Sequence, residues 1–257
     1  MSDPILQAEH ISRRFGDFLA VDDVSLNVQR GHIHALIGPN GAGKTTCFNL
    51  LTKFLAPTSG RILFNGQDIT ADSPVQVARR GVIRSFQISA VFPGMTVLEN
   101  VRLGLQRGLG VSFHFWRSQS LLSQLDARAM ELLAEVDLQD MAHELTANLP
   151  YGRKRALEIA TTLGMEPELM LLDEPTQGMG HEDVGRVTAL IKKVSRGRTI
   201  LMVEHNMNVI SAIADRITVL QQGKVLAEGD YAAVSSNPEV MQAYMGSADV
   251  ALQGAHA

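Results

Sequence analysis

The sequence predicts an α/β protein with a mainly parallel sheet, a small antiparallel β region at its start and a helical segment inserted part-way along. Three observations carry this. Strand-length apolar runs alternate with helical periodicity: His32–Ile37 before Thr45–Leu51, Leu169–Leu172 before His181–Ser195, and Thr199–Val203 before a helix that follows Glu204 and His205. Such alternation builds a parallel sheet. The residues up to about Val28 carry short alternating runs broken at Gly16-Asp17 and Asp22-Asp23, the pattern of antiparallel strands. From about Ile88 to Met165 the pattern becomes mostly helical.

Between these blocks each element has a local reason. Gly60–Asn65 and Val82–Phe86 read as strands, with a polar helical piece at Ser73–Arg80 between them. Thr96 and Glu99 form a capping box ahead of Val97, Leu98, Val101 and Leu105, and Asp126–Val136 is an amphipathic helix. The stretch Gly108–Ser123, with Phe113, Phe115 and Trp116, fits either a packed core or a contact surface. Ile217–Glu228 predicts a hairpin turning at Gln222-Gly223, Pro238–Met245 a short helix, and the residues from Gly246 a loose tail. The expected organisation is one domain over 4–248, with the helical insert at about 88–165 and a tail at 249–257.

Composition narrows the function classes. The 257 residues suffice for one large α/β domain with a sizeable core, and 45% hydrophobic with 19% charged residues is ordinary globular usage. No apolar stretch approaches the roughly 18 residues of a membrane span. Met1-Ser-Asp-Pro4 has neither a basic flank nor an apolar run, so no secretory signal is expected and cytosolic synthesis follows. The single cysteine, Cys47, excludes an internal disulfide framework and reads as a small packing residue. A net charge of −4 offers no electrostatic case for nucleic acid, although a local basic patch stays open.

The chemistry is concentrated in Gly38-Pro39-Asn40-Gly41-Ala42-Gly43-Lys44-Thr45-Thr46, which satisfies G-x-x-x-x-G-K-[ST] between an expected strand and an expected helix. Polyphosphate needs several backbone N–H groups converging on anionic oxygens, which glycine-rich turns allow, and a helix N-terminus behind them. Lys44 would reach the β- and γ-phosphates, and Thr45 would give Mg²⁺ a hydroxyl ligand. The strand Leu169–Leu172 then delivers two adjacent carboxylates. Asp173 is placed to support Mg²⁺ and Glu174 to polarise an attacking water. Adjacent carboxylates repel without a cation, which itself argues for the metal. ATP and Mg²⁺ are the expected cofactors.

In order and approximate spacing, the phosphate loop, Gln87 at the end of a strand, Leu149-Pro-Tyr-Gly-Arg-Lys-Arg155, Asp173-Glu-Pro175 and His205 resemble the ATP-binding cassette ATPases, from Leu6 to Met245. The resemblance implies a P-loop NTPase core and specific roles. Phe15 matches the aromatic that stacks on adenine; the residue alone reads equally well as a half-buried aromatic in a turn. Gln87 matches the glutamine that touches Mg²⁺ and water and senses a membrane partner, Glu174 the catalytic carboxylate, and His205 the histidine that holds the γ-phosphate. Leu149, Pro150, Tyr151, Gly152 and Arg153 align with the signature that binds nucleotide held by a second subunit, commonly LSGGQ. Here Pro150 replaces serine, Tyr151 the first glycine and Arg153 the glutamine. Pro150 lacks a hydroxyl and an N–H but suits a helix start, and Arg153 is positioned in sequence to restore charge attraction. Gln177-Gly-Met-Gly180 stands where the family carries an aspartate.

Within that family the chain is most similar to the ATPase subunits of branched-chain amino acid importers. The features are Leu19-Ala-Val-Asp-Asp-Val24 after Arg13-Arg-Phe-Gly16, the insert around Trp116, the Tyr-Gly signature, Val203-Glu-His-Asn-Met207 and the segment Asn237–Met245. This resemblance implies a homo- or heterodimer of ATPase subunits at the cytoplasmic face of the inner membrane. Permease subunits would hold it there, fed by an extracytoplasmic solute-binding protein, with no nucleic-acid partner. Urea, amide and aromatic-acid importers and the lipopolysaccharide export ATPase use similar subunits. A soluble nucleotide-gated switch, and a module that holds ATP without turnover, are the other classes left open.

Overall fold

The computed structural model describes residues 3–85, 91–106 and 125–244. Phe86, Gln87, the Phe113–Trp116 cluster and the chain from Met245 onward lie outside the described residues. Four strands form the antiparallel sheet, in the order β2 (Phe18–Gln29), β1 (Pro4–Phe15), β4 (Ser59–Phe64) and β5 (Gln67–Asp68). The expected strand at Gly60–Asn65 therefore belongs to this sheet.

A six-stranded sheet carries the rest, in the order β10 (Lys224–Gly229), β9 (Arg216–Gln221), β3 (Ile33–Ile37), β8 (Thr199–Val203), β7 (Leu169–Asp173) and β6 (Val82–Ser85). All neighbours are parallel except the β9–β10 hairpin, which turns through Gln222 (φ 49°) and Gly223 (φ 81°). Strands β3, β7 and β8 are buried at every residue. Their side chains alternate between two cores. Ile33, Ala35, Ile37, Met170, Leu172, Ile200 and Met202 face the helices, while Leu36, Leu169, Leu171, Leu201 and Val203 meet the antiparallel sheet and the helix α1 (Lys44–Leu51). Covering both faces explains why these strands read as unbroken apolar runs rather than as alternation.

Helix α2 (Pro74–Arg79) starts at a capping box of Ser73 and Gln76. The helical region contains α3 (Val97–Gln106), α4 (Asp126–Glu135) and α5 (Tyr151–Gly164), followed by α6 (His181–Val194), α7 (Met207–Ile213) and α8 (Tyr231–Ser235). The expected capping box before α3 is present: Thr96 N–H donates to Glu99 at 2.7 Å and Glu99 N–H to the Thr96 hydroxyl at 3.2 Å. Buried Asn100 donates to the carbonyls of Phe92 and Thr96 and to the Thr146 hydroxyl, tying α3 to the segment that enters α5. Helical backbone also runs over residues 238–244.

Candidate active site

Parallel register brings the carboxyl ends of β3, β7 and β8 to one edge: Leu36 pairs with Val203, and Val203 with Asp173. The loops that leave this edge carry Gly38–Lys44, Asp173–Glu174 and Glu204–His205. Three segments far apart in sequence therefore open on one crevice, where ligands of open α/β sheets bind.

The glycines of the phosphate loop are demanded by the protein's own packing as much as by a ligand. A Cβ on Gly38 (φ 147°) would lie 2.1 Å from the Leu220 carbonyl oxygen, and one on Gly43 (φ 97°) 2.5 Å from that of Ala20. Gly41 (φ 78°) faces open space, so at this position left-handed backbone and ligand approach are what exclude a side chain. The β9–β10 turn braces the loop, with Gly223 N–H donating to Ala42 O at 3.0 Å. Pro39 is partly buried, Asn40 exposed and Ala42 buried. Lys44 is buried, and its ammonium donates to the carbonyls of Gly38 (2.7 Å) and Pro39 (2.9 Å). Burial pushes this ammonium below its ordinary value, and the Glu174 carboxylate opposes the shift, so the two side chains share one electrostatic site. Thr45 is exposed and Thr46 partly so in the first turn of α1.

Asp173 is buried at the end of β7 and ion-paired to Arg84 of β6 at 2.5 Å. Arg84 also donates to Asn49 Oδ1 at 2.5 Å, and its guanidinium lies over the rings of Phe48 (4.9 Å) and Phe54 (5.7 Å). Glu174 holds φ 45°, a left-handed backbone uncommon for a non-glycine residue, and its N–H donates to Val203 O at 2.9 Å. His205 presents an exposed ring just beyond β8. Phe15 ends β1, is 44% exposed and has the Arg13 guanidinium over its ring at 4.7 Å.

In the signature segment Leu149 is buried and Pro150 caps α5, its carbonyl accepting Lys154 N–H at 3.0 Å. Exposed Tyr151 donates its hydroxyl to Gln177 O at 3.3 Å. A Cβ on Gly152 would come 2.8 Å from Asp183 Oδ1, so this glycine lets α5 approach α6 closely. Arg153 donates to Asp137 O at 2.7 Å. Cys47 is fully buried with its thiol pushed up to about 12 by burial, which fits the packing role.

Sequence reasoning passed over three ionic groups around this site: Arg155 and Glu204, which are buried, and Arg84, which is half-buried. Arg84 is the one charged residue of the strand Val82–Ser85, and a charge in a strand of a covered sheet needs a partner. Arg155 stood out only as a basic residue after the signature. Nothing local distinguished Glu204 from a solvated helix-start acid.

Residues 21–177 match the ABC transporter family. The chain belongs to that family. Residues 224–250 of the cassette also match the branched-chain amino acid ATP-binding cassette transporter family. The cassette is 41% identical to the high-affinity branched-chain amino acid transport ATP-binding protein LivG of Escherichia coli K12, over 96% of this chain and all of the relative. Among solved structures it resembles the ADP conformation of the cassette MJ1267, with a TM-score of 0.84 at 30% identity over 95% of this chain and 100% of that one. It also resembles the dimeric post-hydrolysis state of the cassette MJ0796 bound to ADP and Pi, with a TM-score of 0.71 at 25% identity over 88% and 98% of the two chains. The cassette is an ATPase of the transporter type, and among its described residues no helix is long and apolar enough to cross a membrane.

Proposed function

We propose that the cassette is the ATP-hydrolysing subunit of an importer for branched-chain or related amino acids. It would work as a pair of subunits docked on permeases at the cytoplasmic face of the inner membrane, with an extracytoplasmic binding protein supplying solute. The observation that carries the hydrolytic part is the shared electrostatic site of Lys44 and Glu174, built where β3 and β7 end on one edge. The match of residues 224–250 supports the importer class.

The donor set suits Mg²⁺. Thr45 offers a hydroxyl and Asp173 a carboxylate, both hard oxygens, and no group of three or more acidic, histidine or cysteine side chains that could hold a metal occurs among the described residues. A cation here would keep waters and phosphate oxygens as its other ligands, as Mg²⁺ prefers. When bound, it supplies neutralisation of charge on the β- and γ-phosphate oxygens. In this reading Lys44 leaves the Gly38 and Pro39 carbonyls for the triphosphate, and the loop amides and the N-terminus of α1 cradle its oxygens. Glu174 orients and polarises the attacking water, and His205 contacts the γ-phosphate. Phosphoryl transfer is mostly positioning and charge stabilisation, so rigid loops at one sheet edge suffice.

An apolar groove of about 350 Å³, lined by Thr52, Phe54, Pro74, Val75, Ile83 and Met165, opens beside the strand that leads to residue 87. Phe54 and Val75 are 50% and 60% exposed there. We assign this groove to the permease, because it adjoins Arg84 and hence Asp173. Uptake of radiolabelled leucine into vesicles containing the permeases and this cassette tests the proposal. ATP-dependent uptake that vanishes with Glu174→Gln is expected. Uptake indifferent to Glu174→Gln, or transport of no amino acid, would refute it.

A further inference from the structure

Glu204 is fully buried, and the four hydrogen bonds that hold its carboxylate come from two loops, with the His205 ring Nδ1 a further 3.8 Å from Oε2. Oε1 accepts the Thr176 N–H at 3.2 Å and the Thr176 hydroxyl, while Oε2 accepts the N–H of His205 at 2.7 Å and of Asn206 at 3.0 Å. Four donors match the four acceptor sites of a carboxylate, which offsets the cost of burial. One loop carries Glu174 two residues before Thr176; the other carries His205.

On the far side of the Glu174 loop stands Arg155, also buried. It donates to Asp173 O at 3.1 Å and to Pro175 O at 3.2 Å, and pairs with Glu158 at 2.5 Å. The loop is thus gripped through its carbonyls by a cation and through an amide by an anion. Between the two carbonyls that Arg155 holds lies the left-handed backbone of Glu174 (φ 45°), two residues before the Glu204 contact at Thr176. A non-glycine residue keeps such a conformation only where its surroundings over-determine it.

We propose that Glu204 is a positioning residue for hydrolysis, its carboxylate joining the Glu174 loop and the His205 loop into one rigid unit opposite Arg155. This rests on the hydrolytic reading above. The carboxylate acts through the loops it holds. A carboxamide at 204 would turn an NH₂ toward one pair of N–H or O–H donors and release that loop. The effect falls on turnover, because the phosphate loop is tied separately, through Gly223 N–H donating to Ala42 O at 3.0 Å.

The full-length chain is assayed for ATP turnover and, with a fluorescent ATP analogue, for nucleotide affinity. Glu204→Gln is expected to lower kcat at least tenfold with nucleotide Kd within twofold, and Glu204→Gln combined with His205→Ala to lose less than the product of the two single losses. Thr176→Val, which removes one hydroxyl and no charge, is expected to lower kcat several-fold and remains informative if Glu204→Gln fails to fold. Unchanged kcat in Thr176→Val, or fully multiplicative losses in the double variant, would overturn the role of Glu204. Wild-type kcat in both Glu174→Gln and His205→Ala would instead overturn the hydrolytic reading itself.

Discussion

The half-buried Arg84 guanidinium and the buried Asp173 carboxylate form an ion pair at 2.5 Å that joins β6 to β7 at the mouth of the site. Removing one partner leaves the other charge uncompensated, at a cost of roughly 3–5 kcal/mol. Arg84→Met should therefore lower the denaturation midpoint strongly, and Arg84→Met with Asp173→Asn should recover much of the loss. Chemical denaturation of the four proteins in this cycle measures it; additive losses would show that the pair is not the source.

His34 predicts a pH dependence. Its ring is buried in β3 with Nε2 2.8 Å from the Thr218 hydroxyl, and burial, followed by Arg216 and His32, lowers it to about 3. The unfolded chain protonates this ring near 6.5, so between about 3 and 6.5 the unfolded state binds more protons. Stability is complete above that window and falls with pH inside it, by up to about 1.4 kcal/mol per unit. His34→Gln should flatten the dependence of unfolding free energy between pH 7 and 5, measured by urea titration. An unchanged slope would contradict the assignment.

Two glycines of one loop should fail in different ways. Gly38→Ala drives a Cβ into the Leu220 carbonyl and is expected to destabilise the fold by about 2–4 kcal/mol as well as abolish nucleotide binding. Gly41→Ala meets open space and carries only the left-handed penalty of about 1–2 kcal/mol, yet should weaken nucleotide affinity at least tenfold. Thermal unfolding and calorimetric titration with ATP separate the two. Equal stability losses would argue against the packing explanation.

Phe54 offers a test of the permease groove. Phe54→Asp places a charge on an exposed apolar wall and should leave ATP affinity within twofold while reducing co-purification with the permeases at least fivefold. Undiminished co-purification would place the docking surface elsewhere.

Much of the fold was legible before the structure. The strand-helix alternation, the hairpin at Gln222-Gly223, the Thr96–Glu99 box and the phosphate loop all depend on residues within a few positions of one another. Local spacing also singled out Asp173 and Glu174 after an apolar strand, whereas His205 alone reads as a histidine at a helix start and was picked out by the family resemblance. The hydrogen bond of Arg153 to Asp137 O was not legible in the sequence, because it depends on where α5 meets the end of α4.

By itself the sequence determined which segments become strands and helices and which loop can cradle phosphate, because periodicity and backbone conformation are local properties. Only the tertiary structure decided that β3, β7 and β8 end together, that a side chain at Gly38 or Gly43 would meet a neighbouring carbonyl, and that Arg155 and Glu204 stand buried, and Arg84 half-buried, around the site. A buried charge takes its meaning from the partners that desolvation forces upon it, and those partners come from elements far apart in the chain.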